Sequence, residues 1–413
     1  MIVKRGAVTD VLVIGAGIAG LATAAALAQR GARVRVLEAG TQIGAEASSQ
    51  NAGMIRRLGD DPVERALARR THDALLALRD DADFADAPPA KRTGALLLLG
   101  HEPMRLHDAA AHLAALGIAV ERLDGADAVR ARVDSPLLQG APIRVGWYDA
   151  DAHVADAHAL CRGLQRRLRR FGGDVELQTP VAALRREGDR LRGVTLADGS
   201  AVDADHVVLA AGAWTASLCA GVGLWRPLLP LRRTLLQTAP HPASSPEAPW
   251  IWFDDAGLYA RPEAGGFLVS ACDEALDPPR PQTPSRRAPD PAAIALFAAK
   301  AERLFPALRG ARVRGGWSGL RTFCPDRAPM LGPDADLPGL HLCAGLGGFG
   351  VSCGLAAGEA VAASLLGEAP AWLDAHAVAP TRHSLRRFPL LPQGDTSRAR
   401  LLDVASARVR MGC

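Results

Sequence analysis

The sequence predicts an α/β fold, and three observations carry that prediction. A short apolar run, VLVI at 11–14, leads into a glycine turn, GAGIAG; an alanine-rich helical stretch, LATAAALAQR, follows; and a second strand, ARVRVLEAG, comes directly after Gly31. Strand, glycine turn, helix and strand within about 30 residues form a βαβ unit, the building block of a parallel sheet. A buried parallel strand reads as an unbroken apolar run, and 11–14 does so.

The chain has 413 residues, enough for two or three domains. Its 48% hydrophobic and 22% charged residues exclude disorder over most of the length. A net charge of +4, spread without a basic stripe, argues against a nucleic-acid partner. The seven cysteines include no CxxC pair and no zinc-ligand spacing, so we expect no metal site and reduced thiols in a cytoplasmic protein. No apolar run of about 18 residues is free of charge, glycine and turn signals, and no membrane span is expected. Lys4 and Arg5 before an apolar stretch imitate a secretory signal, but the glycine spacing gives that stretch another meaning.

Further along, residues 41–60 are polar and irregular, and Asp61 and Pro62 start a helix expected over 62–80. GALLLLG at 94–100 reads as a strand and 102–116 as a helix. VGWYDADAHVAD reads as strand and turn leading into a helix capped by Asp156 and ending at Gly172. A β-rich meander with a turn at Asp198-Gly199 closes on a second apolar strand, His206 to Ala210. Strands and proline-rich loops fill 226–290, with 281–291 expected as a mobile surface loop before a helix at 291–305. LPGLHLCAGLGGFGVSCGLAAGEAVAASLLG reads as strand, glycine-rich turn and helix; the tail beyond 389 has no hydrophobic period.

The first motif with chemistry is Gly15-x-Gly17-x-x-Gly20. The first glycine makes the tight turn, the second lets backbone N–H groups approach a pyrophosphate, and the third lets helix pack on strand. The anion rests on the helix N-terminus, where free N–H groups and the dipole favour negative charge. Glu38, at the end of the second strand, is placed to accept from ribose hydroxyls and to repel a 2′-phosphate. Two further small-residue turns follow strands, one at Ala211 and Gly212 and one at Gly345, Gly347 and Gly350 leading to a helix at Val351. Three turns so far apart in sequence suggest one long ligand touched from several sides, which FAD fits better than a nicotinamide cofactor. The helix start at Val351 can stabilise negative charge at the flavin N1–C2 end.

The chain resembles the D-amino-acid oxidase superfamily of FAD-dependent oxidoreductases, with its glycine oxidase, sarcosine oxidase and D-amino-acid dehydrogenase members. VLVIGAGIAGLATAAALAQRG, SSQNAGM, GWYDADAHVAD, HVVLAAGAW, WSGLRTFCPDRAPMLGP and HLCAGLGGFGVSCGLAAGE carry the likeness. RPLLPLRRTLLQT, GLYARPEAGG and WSGLRTF are most similar to the D-arginine dehydrogenase type. The resemblance implies a Rossmann-like FAD domain over 1–60, 140–225 and 315–390. It implies a discontinuous antiparallel-sheet substrate domain over 61–139 and 226–314, leaving 391–413 as a tail expected to be partly disordered.

By the same resemblance, Arg233 and Arg321 clamp the substrate carboxylate, the Tyr259 hydroxyl contacts substrate, and the Gly348 carbonyl accepts from the substrate amine. An arginine fork matches a carboxylate bidentately at full charge. Ser48, Ser49, Asn51 and Val181 are expected against the cofactor. Two alternatives stay open on the residues alone: Arg232, facing the other side of the same strand, could be the clamp, and Arg321 could pair with Asp326. His153 reads as a capping or packing residue, and Tyr148 as a residue that faces either the pocket or the core. Where the D-arginine dehydrogenase type brings a histidine and a tyrosine over the substrate, Met54 and Gly59 stand here, which points to a more apolar or more open pocket. Where sarcosine-oxidase-like members carry a flavin-linking cysteine, Gly319 stands, with Cys324 five residues on, so FAD is expected to be noncovalent.

The expected activity is oxidation of the C–N bond of an amino acid, a D-amino acid favoured, to an imine by hydride transfer to flavin N5. Oxygen or another compound would accept the electrons. The alternatives are a sarcosine- or glycine-oxidase-like oxidation of an N-substituted amino acid or amine, and a flavoprotein subunit of a larger dehydrogenase complex.

Overall fold

The structure is a computed structural model that describes residues 10–59, 61–100, 104–280 and 283–386. The tail 391–413 lies outside the described residues. A six-stranded sheet forms the first layer, in the spatial order 330–333, 340–344, 206–209, 10–14, 33–37, 174–176. All neighbours in it are parallel except the edge pair 330–333 and 340–344. Val11 to Ile14 are buried, as an apolar run central to a parallel sheet must be. In the next strand, Val34 and Val36 point inward while Arg33 and Arg35 stay in solvent, Arg35 reaching Glu176 at 2.8 Å.

Two small-residue helices cover one face of this sheet. Ile18–Gln29 and Gly350–Leu365 cross at close range. A Cβ on Gly354 would stand 2.8 Å from Ile18 Cγ2, and one on Gly358 would stand 2.6 Å from Thr23 N, so only glycine lets these backbones approach. Gly354 and Gly358 are therefore packing requirements of this crossing.

The second large sheet has ten strands and is antiparallel apart from one pair. Leu229–Thr238 and Val313–Phe323 form its longest ladder, which sets Arg233 opposite Gly319 and Leu231 opposite Arg321. The single parallel pair joins Trp250–Phe253 to Ala95–Leu99. Val145–Asp149 and Val313–Phe323 hydrogen-bond in this sheet, although both overlap segments expected in the FAD domain. A strand pattern states that a segment is extended, but the register partners decide its sheet.

Two local expectations stand out. Asp156 caps the helix Ala157–Arg170, its Oδ1 accepting from the N–H of His158 and Ala159 at 2.9 Å. The segment expected as a mobile surface loop behaves differently over its described part. Ser285 is buried and its N–H and hydroxyl both donate to the Glu46 carboxylate, while Arg287 and Ser318 exchange backbone hydrogen bonds. Proline and polar content predicted exposure there; an acid from a distant loop, Glu46, gives the polar groups partners instead.

Candidate active site

The glycine turns meet at the carboxyl ends of three adjacent parallel strands, where open α/β sheets bind ligands. Gly15 follows the first strand with φ +104, a conformation that favours glycine, and a Cβ on it would stand 2.6 Å from Ala210 O. A Cβ on Gly17 would meet Ser48 Oγ at 2.9 Å, and one on Gly20 would overlap Gly15 O. The turn is thus a cradle that side chains would fill. The helix Ile18–Gln29 receives no side-chain cap from Gly17 and has no acid in its first turn. Ser48 Oγ sits at that end, accepting from Ile18 N–H at 3.0 Å. Glu38 lies on the rim, its two oxygens accepting from the N–H of Ala16 and Gly40, each at 2.8 Å. A diphosphate with a ribose beside it matches this donor set, so the residues present fit the adenine half of FAD.

A cavity of about 380 Å³ opens at the other end, between the two large sheets. Asn51, Met54, Arg233, Tyr259, Arg321, Gly345, Gly348 and Val351 all line it. The helix Gly350–Leu365 starts at its wall, again with no acidic residue in the first turn and no side-chain cap. Gly345 and Gly347 hold positive φ; a Cβ on either would overlap Cys324 Sγ or the Phe323 ring.

Arg321 is 5% exposed. It donates to the carbonyl oxygens of Leu320, at 3.2 Å, and Gln50, and no carboxylate stands at ion-pair distance among the described residues. Burial lowers its pKa from 12.5 to about 10, with the neighbouring Arg233 charge acting the same way. Asp326, its alternative partner from sequence, pairs with Arg382 at 2.7 Å and with Ser384. Arg233 enters the same cavity, its Nε donating to Asp273 O at 3.0 Å and its Nη2 to Glu274 Oε1 at 2.8 Å. Arg232 turns to the opposite face, onto Asp277, Ser285 O and Ser318 Oγ. The Tyr259 side chain is buried, which raises its pKa, and the charges of Arg233 and Arg321 act against that rise.

The other expected residues make the following contacts. Ser49 Oγ donates to Ala45 O at 2.9 Å, within its own turn. Asn51 closes the next turn, accepting from Gly53 N–H at 2.7 Å and donating to Ser48 O at 2.6 Å, while also lining the cavity. Val181 is partly buried and packs against the core cluster that contains Leu12, Ile14 and Leu37. Ala211 and Gly212 open a short turn behind the first glycine loop. Gly59 is buried beside Glu64 and Arg56 and does not line the cavity. Tyr148 stacks under Arg132 at 4.0 Å, and His153 packs on His72 and bonds Asp151 O at 2.6 Å. Gln50 lies against Gly319 so closely that a Cβ there would overlap it, and the Cys324 thiol is buried with its pKa pushed up to about 12.

The sequence did not mark several cavity residues. Arg56 lies 4.7 Å from the ring centroids of both Trp252 and Phe349 and pairs with Glu64 at 3.0 Å and Asp254 at 2.7 Å. Burial raises the Glu64 pKa, against the nearby Arg56 charge. Lys300, from the helix Pro291–Leu304, donates to the carbonyls of Ala256, Gly257 and Ala271 at 2.8–2.9 Å and so ties together two turns of the cavity wall. Lysine is rare in this chain, and that rarity was a usable signal.

A glycine-turn βαβ unit joined to a cavity lined by the buried guanidiniums of Arg56, Arg233 and Arg321 is an arrangement that suits a flavin-dependent oxidoreductase. The sequence matches the family described as FAD dependent oxidoreductase over residues 10–364, and the chain belongs to that family. It is an enzyme and its cofactor is FAD. It is 27% identical to a glycine oxidase of Bacillus licheniformis, over 89% of this chain and 96% of the relative. It is 29% identical to D-amino acid dehydrogenase 2 of Pseudomonas aeruginosa, over 90% and 98%. In structure it is similar to glycine oxidase from Geobacillus kaustophilus, with a TM-score of 0.75 at 24% identity, covering 91% of this chain and 99% of that one. No described helix is long and apolar enough to cross a membrane, and no described group of three or more His, Cys, Asp or Glu could hold a metal ion.

Proposed function

We propose that this enzyme oxidises the C–N bond of a small amino acid, a D-amino acid favoured, to an imine that water hydrolyses to an oxo acid. The observation that carries this reading is Arg321, a buried guanidinium in the cavity with carbonyl partners and no carboxylate. A buried cation without a counter-charge is costly, and a substrate carboxylate supplies what is missing. Arg233 and the Tyr259 hydroxyl complete the carboxylate site. The Gly348 carbonyl accepts from the substrate amine, which fixes the α-carbon between them. The two guanidiniums and the dry wall around Trp252 and Tyr259 favour the neutral amine, the form whose lone pair assists loss of hydride. FAD supplies the two-electron acceptor. The glycine turns, Ser48 and Glu38 hold its phosphate and ribose end, and the start of the helix Gly350–Leu365 faces its ring end. Gly319 and the buried Cys324 support noncovalent attachment, and the free thiols of the six described cysteines support a reducing, cytoplasmic setting.

A second reading is oxidation of glycine or of an N-substituted amino acid, favoured by the glycine oxidase relatives. Both readings share the clamp and differ in the amine. One experiment separates them. The purified yellow protein is mixed anaerobically with D-amino acids, glycine, sarcosine and proline, and loss of flavin absorbance is recorded. Bleaching by D-amino acids before the others supports the first reading, and bleaching by glycine or sarcosine alone supports the second. No bleaching by any carboxylate-bearing amine overturns both. Peroxide release on readmitting air tells oxidase from dehydrogenase.

A further inference from the structure

Three guanidiniums reach the carboxylate end of the cavity, and one side-chain carboxylate is shared between two of them. Glu274 accepts from Arg233 through Oε1 at 2.8 Å and from Arg327 through Oε2 at 3.3 Å. Arg327 lies at the mouth, half exposed, with its guanidinium 4.2 Å from the Phe323 ring centroid and its backbone at φ +67. Asp273, next in sequence, is committed elsewhere, accepting from Thr234 N–H and Oγ at 2.8 Å. Around Arg233, Asp273 is taken up by Thr234, which leaves Glu274 as the side-chain carboxylate paired with its guanidinium.

Glu274 therefore makes on Arg233 the charge-assisted bond that a substrate carboxylate would make, and it already holds a second cation to move to. We propose that Glu274 is a built-in competitor for the carboxylate subsite: it occupies Arg233 when the cavity is empty and is released onto Arg327 when a substrate carboxylate enters. Resting on the clamp reading above, the proposal adds that Glu274 and Arg327 together set how tightly the site takes a carboxylate. A fixed Glu274 that merely orients Arg233 makes the opposite prediction. The Arg233 Nε already orients the fork through Asp273 O, so Glu274 is not needed for that task.

The test uses the flavin-loaded enzyme with acetate, a carboxylate without an amine, as the probe. Binding is followed by calorimetry and by the flavin absorbance shift. Glu274→Gln keeps the shape and removes the charge, and we expect it to bind acetate roughly tenfold more tightly, the size of one charge-assisted bond no longer competing. Arg327→Met removes the alternative seat and should weaken acetate binding several-fold. Unchanged or weaker binding to Glu274→Gln, in a protein that retains its flavin, overturns the proposal. Arg321→Met is the separate control. If it binds acetate as the parent does, the clamp reading fails; if it loses acetate while Glu274→Gln shows no gain, only the competitor role fails.

Discussion

Arg232 and Arg233 are neighbours on one strand and serve opposite faces of the ten-stranded sheet. Arg233 meets Glu274 in the cavity, whereas Arg232 meets Asp277 and the anchored segment around Ser285. The alternation of a strand separates them completely. Arg233→Met and Arg321→Met should each raise KM for the amino acid by roughly 10- to 100-fold, the value of a lost charge-assisted bond, while bound flavin is unchanged. Arg232→Met should leave KM as it is. Steady-state kinetics with flavin content measured on each variant checks all three, and an equal rise in KM for Arg232→Met would refute the assignment.

Arg321 also gives a pH dependence. Its guanidinium is charged below about pH 10 and loses its proton as pH rises through that value. Acetate affinity should hold up to that region and then fall about tenfold per pH unit, the slope of a single proton lost from the site. A titration extended to high pH that shows constant affinity would remove Arg321 from the carboxylate site.

At the acid end the sensitive group is His341. Its burial, with His206 beside it at 3.1 Å, lowers its pKa to about 3. An unfolded imidazole titrates near 6.5, so the unfolded chain binds more protons below that value. The stability contribution is complete above about pH 6.5 and is lost as pH falls towards 3. The parent should lose Tm across this window, and His341→Gln should lose measurably less; parallel slopes would contradict the argument.

Gly20→Ala places a methyl group onto Gly15 O, so the turn must open. We expect a loss of about 2 kcal/mol in stability from the overpacking and at least tenfold weaker flavin binding. Flavin content after dialysis and a thermal melt check it.

Lys300→Met removes three hydrogen bonds from one ammonium to carbonyls of the cavity wall. The expected cost is about 2 kcal/mol or more, with KM raised several-fold and flavin retained. Lys300→Arg cannot reproduce a three-way tie from one nitrogen and should rescue only in part. Chemical denaturation beside kinetics separates the two effects.

The dinucleotide half of the site was legible in the sequence because its determinants are local. Gly15, Gly17 and Gly20 lie within six residues, at the turn from the first strand into the first helix, and Glu38 follows the adjacent strand. The carboxylate clamp was legible only through resemblance. Nothing in RPLLPLRRTL says which arginine faces inward; the ladder with Val313–Phe323 decides it. Arg56, Glu274 and Lys300 were missed for the same reason. Arg56 finds Asp254 across 198 residues and Glu274 reaches Arg327 across 53, pairings that leave no periodic trace. The segment 281–291 reads as exposed until Glu46, far away in the chain, supplies its partner.

The strand order of the two large sheets bears on how the chain is made. The first strand, 10–14, cannot acquire its neighbour at 206–209 until half of the polypeptide has left the ribosome, and 340–344 arrives later still. The ladder that seats Arg233 beside Arg321 waits for residue 323. Neither layer can finish during synthesis of the amino-terminal half. A nascent or prematurely ended chain therefore displays open sheet edges, which are templates for pairing with other chains.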